Sequence, residues 1–388
     1  MSKSILHVAA FPFPTHQGSQ VYVEGMTCAL RRAGFDAKVV CWGSALPGRE
    51  SSVPVHRATN VPGGAFLTSG LHWSRPLHDL ALLWRVRALI ADGDVDLLHA
   101  HNVEAPILSW LAGSGRVPVV YNLHTEMREE LPSYASLPSA LMRGVGGLFD
   151  TMACRFATAG VAPSKNGGEV LRSHGLANTV VATPGVDLPS MAGADAARAR
   201  TRWTLGDRRW AVYAGNLDGY QDVGVLMQAM ARLPDAGLMI VTGSSTSLWR
   251  ARAAAMGIRP ENLRWIETRD FEDVKDALAA ATVGVLPRVT CAGFPIKLLN
   301  QMALGLPTIA TLTAVDDMPS VVRVPPRDAE ALSSAIGSFL SGARDIQSLS
   351  AQARRVAEER YGWDVAIRPV IDLYETLDVF PQTGGVHP

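Results

Sequence analysis

Short apolar runs alternate with longer amphipathic stretches from one end of this chain to the other, and that alternation narrows the fold more than any single motif. The first set reads "ILHVAA", "DAKVVCW", "VDLLHA", "VPVVYNL", "TAGVAP" and "TVVATP"; the second reads "RWAVYAGN", "GLMIVTG", "NLRWIE", "TVGVLP" and "LPTIAT". Helical patterns lie between them, such as "GSQVYVEGMTCALRRAG", which stops at a glycine. Strands separated by helices imply βαβ units, because a parallel neighbour is reached only through a crossover. At 388 residues the chain is long for one core. Two doubly wound α/β domains in series are therefore expected, with a linker and short helix in Val186–Arg209 between the two strand sets.

Composition removes several function classes. Lys plus Arg and Asp plus Glu both count 36, and a dedicated nucleic-acid binder usually shows a basic excess instead. Cys28, Cys41, Cys154 and Cys291 stand singly, so neither a disulfide framework nor a zinc site is indicated, and no metal is expected. No apolar run approaches the ~20 residues of a membrane span. The amino terminus passes from one lysine into a strand without a signal-peptide pattern, and a soluble cytoplasmic enzyme is expected.

The first strand stops at Pro12 and Pro14, after which Gly18-Ser19-Gln20 leads into a helix. The N–H groups of a first helical turn, with the helix dipole, favour an anion. There is no G-x-G-x-x-G, and an ordinary βα turn that uses Gly18 for backbone geometry is the plain alternative.

The second half is more specific. "VYAGNLDGYQDVGVLMQAM" (Val212–Met230) and "VGVLPRVTCAGFPIKLLNQMALGLPTIAT" (Val283–Thr311) resemble the two signature blocks of the family-four glycosyltransferases, retaining enzymes of the GT-B fold. "HAHN", "VVYNLHTE", "APSKNGGEVL" and "TPGVD" match that family's landmarks in order, and "RYGWDVAIRPVIDLYETL" is similar to its closing helix. The resemblance implies two Rossmann-like domains facing each other across a cleft. Residues 1–186 would form the acceptor-side domain, with a helix at about 363–380 returning to it, and 187–362 the nucleotide-sugar domain. It also implies transfer of a hexose, with retention, from a UDP- or GDP-sugar to a small-molecule or glycan acceptor, in natural-product or cell-surface glycan biosynthesis. No tightly bound cofactor is implied.

On that resemblance Gly18 faces the diphosphate, and His124 stands at the strand end where the family carries a histidine near the donor sugar. His99 and His101 share one face of their strand. His101 is assigned to the acceptor, while a structural role serves His99 equally well. The family's Arg and Lys after the "VYAG" strand are replaced here by Asn216 and Gln221, amides that bring hydrogen bonds but no charge. A subset with the same "GN…YQ" pattern also has "PR" and a later Lys, which are Arg288 and Lys297 here. These two are expected to neutralise the diphosphate. A lysine at a helix start is unfavourable unless an anion is nearby.

The family's E-x7-E pair falls on Ala292 and Asn300; Asn300 retains an amide oxygen for a ribose, while Ala292 offers nothing to a sugar. Backbone N–H groups at Gly293, Phe294 and Ile296 are candidates for sugar or phosphate, Pro295 having none, and Arg269 follows a strand where the base sits. Gln20, Glu126, Arg128 and Tyr134 are the acceptor-side candidates. Acidic residues outnumber basic ones in Thr125–Asp150, so a soluble acceptor is expected ahead of a membrane surface. With no evident carboxylate nucleophile, front-face transfer is implied. The rivals are a catalytically silent protein of the same fold, favoured by Ala292 and the neutral amide pair, and a sugar-nucleotide epimerase.

Overall fold

The computed structural model describes residues 3–15, 18–43, 50–62, 72–93, 95–134, 138–289, 294–312, 318 and 320–377. The chain divides into two compact units, one of Met1–Gly185 with Trp363–Pro388 and one of Val186–Gly362.

The first unit runs β1 (Ser4–Ala9), α1 (Gly18–Arg32), β2 (Asp36–Cys41), β3 (Val55–Arg57), α2 (Arg75–Ala91), β4 (Leu97–His101), α3 (Ala105–Gly113) and β5 (Val119–Asn122). It continues through α4 (Met127–Glu130), α5 (Ser139–Arg155), β6 (Ala159–Ala162), α6 (Lys165–Ser173) and β7 (Thr179–Val181). The second unit holds α7 (Leu188–Met191), α8 (Ala196–Arg202), β8 (Trp210–Ala214), α9 (Val223–Ala231), β9 (Gly237–Thr242), α10 (Ser247–Ala255) and β10 (Leu263–Glu267). Then come α11 (Phe271–Ala280), β11 (Val283–Leu286), α12 (Ile296–Ala303), β12 (Thr308–Thr311), β13 (Val321–Val324), α13 (Ala329–Leu340) and α14 (Ile346–Val356). α15 (Trp363–Ala366) and α16 (Arg368–Thr376) complete the first unit.

Both sheets are parallel, in the orders β3-β2-β1-β4-β5-β6-β7 and β10-β9-β8-β11-β12-β13. The order reverses between β1 and β4 and between β8 and β11, and a doubly wound sheet binds ligands at the carboxyl ends of strands flanking such a reversal. The apolar runs named above form strands as expected. The short edge strands β3 and β13 carry no such run: Val55–Arg57 is half-buried and Val321–Val324 is mostly so, and the burial that writes an apolar run into central strands is missing there.

Each sheet buries both faces. On one side of the first, Leu6, Val8 and Ala10 join Leu98 and Ala100 against Leu82 and Val86 of α2 and Ala105 and Ala112 of α3. The other side places His7 of β1 level with His99 of β4, and Tyr22 of α1 and Tyr374 of α16 are buried there. In the second unit Ala211, Tyr213, Ile240 and Val285 pack with α9 and α13 on one side, and Val212, Met239 and Val241 with α8 and α11 on the other.

The segment closing the first unit is anchored by Trp363, whose indole lies between the backbones of Gly25 and Gly185. A Cβ on Gly25 would sit 2.5 Å from the indole Cε2. Alanine there would gain roughly 0.5–1 kcal/mol of helix propensity, but crowding a filled core costs about 1–3 kcal/mol. Gly25→Ala is thus expected to lose about 1 kcal/mol net, read as a lower urea midpoint at unchanged slope. A variant as stable as the parent would show that the indole gives way freely.

Candidate functional site

In the second unit the groups of interest gather where the strand order reverses. β8 leads into Gly215-Asn216 and β11 runs through Pro287 into Arg288, while Lys297 is the second residue of α12. The Nζ of Lys297 lies so close to Gly215 that a Cβ at that glycine would collide with it. This Nζ is buried and has no hydrogen-bond partner; it lies 5.5 Å from the centre of the Tyr213 ring. Burial, then the neighbouring Arg288, pull the ammonium down from its usual range to about 7, with Asp218 acting the other way. The Arg288 guanidinium stacks 5.2 Å from the Tyr220 ring centre. Two cations are therefore held on tyrosine faces, a favourable placement for cations out of water.

Asn216 and Gln221 stand in the same loop, but their amide donors are mostly taken within the chain. Gln221 Nε2 donates to Asn216 Oδ1 at 2.9 Å. Asn216 Nδ2 donates to Asp218 Oδ2 at 2.6 Å and lies 3.2 Å from the Tyr220 hydroxyl. Gln221 Oε1 is left buried and unpaired, an acceptor rather than a donor. The pair ties the loop together through its side chains and leaves one N–H of the Gln221 amide unassigned.

The Ile296 N–H is also committed, to the Phe294 carbonyl at 3.0 Å. The Phe294 ring packs beside Tyr361 and against Val186, Met191 and Leu299. Gly293 and Ala292 lie outside the described residues. Asn300 is half-buried in α12, and Arg269 is exposed after β10, next to Gly243. Beside it, Glu267 accepts from Thr246 and Arg250, and Thr268 donates to Asp273, so those side chains are occupied within the fold.

The first unit gathers imidazoles at its own reversal. His101 Nδ1 is 3.0 Å from His124 Nε2, and His101 Nε2 is 2.9 Å from His7 Nδ1. His99 stacks on His101 at 4.8 Å, almost parallel. His99 is itself bonded to the Tyr374 hydroxyl and, at 3.2 Å, to Asn122 Oδ1. Tyr22 donates to Asn122 and meets the His124 ring edge-on at 5.4 Å. Burial lowers every one of these imidazoles, His124 to about 4 and His99 to about 3. They are neutral at physiological pH. His7 is absent from the motifs because it reads as an inward strand residue; only the β1–β4 register brings it to the others.

The remaining first-unit candidates divide. Gly18 is the exposed first residue of α1, and Gln20 is buried two residues on. Glu126 precedes α4 half-buried, its carboxyl raised by burial and by Asp150. With Asp150 and His174 it offers ligand atoms that all lie within 4.8 Å of one another. The Asp150 oxygens already accept the N–H groups of Met127 and Arg128. Arg128 is exposed, and the Tyr134 hydroxyl donates to Glu130. No helix among the described residues is long and apolar enough to cross a membrane.

Two family models match this chain: glycosyltransferase family 4 over residues 16–189 and glycosyl transferases group 1 over residues 208–342. The chain is a glycosyltransferase of the GT-B fold, assembled from these two halves. It is 28% identical to the D-inositol 3-phosphate glycosyltransferase of Xylanimonas cellulosilytica, over 92% of this chain and 91% of that one. It is 26% identical to the phosphatidyl-myo-inositol mannosyltransferase of Mycobacterium leprae, over 95% and 96%. Among solved structures, the sucrose-phosphate synthase of Thermosynechococcus elongatus superposes with a TM-score of 0.79 at 19% identity, covering 97% of this chain and 99% of that one. Anabaena HepE in complex with UDP-glucose superposes at 0.72 and 17%, covering 97% and 100%.

The Lys297 environment has a consequence for stability. Unfolded, the side chain stays protonated until its ordinary value of 10.5; folded, it holds the proton only below about 7. The penalty of the buried ammonium is full below pH 7 and fades as pH rises toward 10.5. Lys297→Met is expected to raise the melting temperature of the ligand-free protein, by more at pH 6 than at pH 9.5. An equal change at both pH values would place the ammonium in solvent.

Proposed function

We propose that this chain moves a hexose, with retention, from a UDP- or GDP-sugar to a hydroxyl-bearing small-molecule or glycan acceptor. The observation that carries this reading is the Lys297 ammonium, buried beside Gly215 with Arg288 as neighbour and no partner of its own. A buried, unpaired ammonium beside a half-buried guanidinium is poorly placed for stability and well placed for a polyanion. Support comes from the relatives, one named for inositol 3-phosphate and one for phosphatidylinositol, and from the HepE structure with UDP-glucose.

In this reading the nucleotide diphosphate sits against the carboxyl ends of β8 and β11. Lys297 and Arg288 take up the charge that grows on the leaving phosphate as the glycosidic bond breaks. Asn300 accepts from a ribose hydroxyl, and Arg269 lies beside the base. His124, neutral, hydrogen-bonds a hydroxyl of the transferred sugar and orients its anomeric carbon. Gly18 lets the α1 turn approach the diphosphate, and Gln20, Glu126, Arg128 and Tyr134 flank the acceptor. The acceptor hydroxyl attacks from the face the phosphate leaves, and its proton passes to the departing phosphate oxygen.

Nucleotide release from UDP-, GDP-, dTDP- and ADP-sugars tests this. One donor is expected to turn over slowly without acceptor, and Lys297→Ala and Arg288→Ala are each expected to slow it about a hundredfold or more. Neither binding nor release of any donor would favour the catalytically silent alternative. Turnover into an isomeric nucleotide-sugar would favour the epimerase.

One observation favours a lipid-borne acceptor over the soluble one expected from charge. Leu77, Leu80 and Trp84 are spaced three and four apart on one exposed face of α2, with Trp84 at 63%, and Trp73, exposed at 72%, stands in the turn just before the helix. The Mycobacterium leprae relative is named for a phosphatidylinositol acceptor. The chain is expected to pellet with vesicles of phosphatidylglycerol and phosphatidylcholine, and the pair Leu80→Glu, Trp84→Glu to stay in the supernatant. Parent protein that stays in the supernatant would return the acceptor to solution.

A further inference from the structure

His7, His101 and His124 form a chain of three imidazoles that begins in the core and ends at the candidate sugar-contacting residue. The links are His7 Nδ1 to His101 Nε2 at 2.9 Å and His101 Nδ1 to His124 Nε2 at 3.0 Å. His7 and His101 are fully buried. At the inner end His7 Nε2 is buried with no partner. At the outer end His124 is half-buried, and its Nδ1 has no hydrogen bond from the chain.

A neutral imidazole carries one proton, and each link needs one donor and one acceptor. The three rings therefore share a single polarity. If the protons point outward, His7 Nδ1 donates to His101, His101 Nδ1 donates to His124, and His124 must carry its own proton on Nδ1. If they point inward, His124 Nε2 donates to His101, His101 Nε2 donates to His7, and His7 is left with an N–H on Nε2. Burial keeps these rings neutral, so a doubly protonated ring does not enter. The inward polarity strands a buried N–H, a rarer defect in folded proteins than an acceptor short of a partner.

We propose that His7 and His101 are positioning residues that hold His124 in the tautomer with its proton on Nδ1, so that its free ring nitrogen is a neutral hydrogen-bond donor. The ring is fixed as well as the proton. Tyr22 meets His124 edge-on, Trp363 packs 5.7 Å from Tyr22, and His99 stacks under His101 while bonded to Asn122 and Tyr374. A sugar ring oxygen or an oxygen lone pair of a sugar hydroxyl is the partner such a donor selects. That choice of partner rests on the reading that His124 meets the transferred sugar; the tautomer itself does not.

The test is long-range proton–nitrogen correlation NMR on the full chain with nitrogen-15 histidine, at pH 7.5 and without ligand. The chain has 10 histidines, and His124→Asn assigns the one signal set that matters. Wild-type His124 is expected as the Nδ1–H form, with His101 the same. In His101→Phe, which keeps a flat ring on His99 but offers no nitrogen, His124 is expected to turn over to the Nε2–H form. Wild-type His124 carrying its proton on Nε2 overturns the proposal, as does a tautomer that His101→Phe leaves unchanged. The wild-type spectrum decides even if the variant does not fold. Where a donor turns over, His101→Phe is expected to lower kcat about tenfold, the scale of partners that orient a metal-bound histidine, at unchanged nucleotide Kd. A variant as fast as the parent overturns the positioning role, whereas a chain with no turnover at all leaves the tautomer result standing.

Discussion

In both sheets every pair of neighbouring strands runs parallel, and this constraint arranges the rest of the molecule. A parallel neighbour is reached only by a crossover, so helices cover both faces and the strands between them become apolar on both sides. Every carboxyl end then falls on the same edge of its sheet. Each chain half starts in the middle, winds outward through two strands and returns to the far side of its first one, which leaves the β1–β4 and β8–β11 neighbours without a crossover between them. Polar side chains that a covered sheet would not otherwise tolerate have an outlet there. Arg288 follows β11, His124 follows β5, and Lys297 reaches Gly215 after β8 from the start of α12.

The polar groups at these edges work against stability in different ways. Lys297 keeps a basic group out of water next to another, and the Tyr213 face and the Asp218 carboxylate are the described neighbours that help it. The histidines give up their charge instead, since burial is cheaper for a neutral ring than for an imidazolium. Both arrangements spend stability that the apolar strands supply. A site whose own groups are already satisfied has nothing left to give a ligand, so the unpaired Lys297 Nζ and the open Nδ1 of His124 mark where affinity is held in reserve.

Much of this was legible in the sequence, for a physical reason. A strand buried on both faces must be apolar throughout, so runs such as "WAVYAG" announce themselves, whereas Val55–Arg57 and Val321–Val324 at the edges have no such need. Lys297 stood out because a cation at a helix start contradicts the dipole. The loop around Asn216 was not legible in the same way: Gln221, Asp218 and Tyr220 close on Asn216 through side-chain bonds inside one turn, and residue type alone does not say whether an amide faces a ligand or its neighbour. His7 was invisible for a third reason, since its partner lies 94 residues away and meets it only through strand register.

The contrast between the two edges is a division by charge. At β8–β11 the fold has gathered two basic groups and turned the amides of Asn216 and Gln221 largely toward each other, which makes charge the main thing on offer, a preference for phosphate over hydroxyl. At β1–β4 it has gathered neutral rings and kept formal charge away, and a neutral donor discriminates by direction rather than by field. A nucleotide-sugar carries both kinds of group, an anionic diphosphate and an uncharged ring with directed oxygens. An imidazolium at His124 would add charge to an edge whose other buried rings are held neutral. The pull of burial on His124, down to about 4, keeps that ring uncharged through the range near pH 7 in which the Lys297 ammonium gives up its proton.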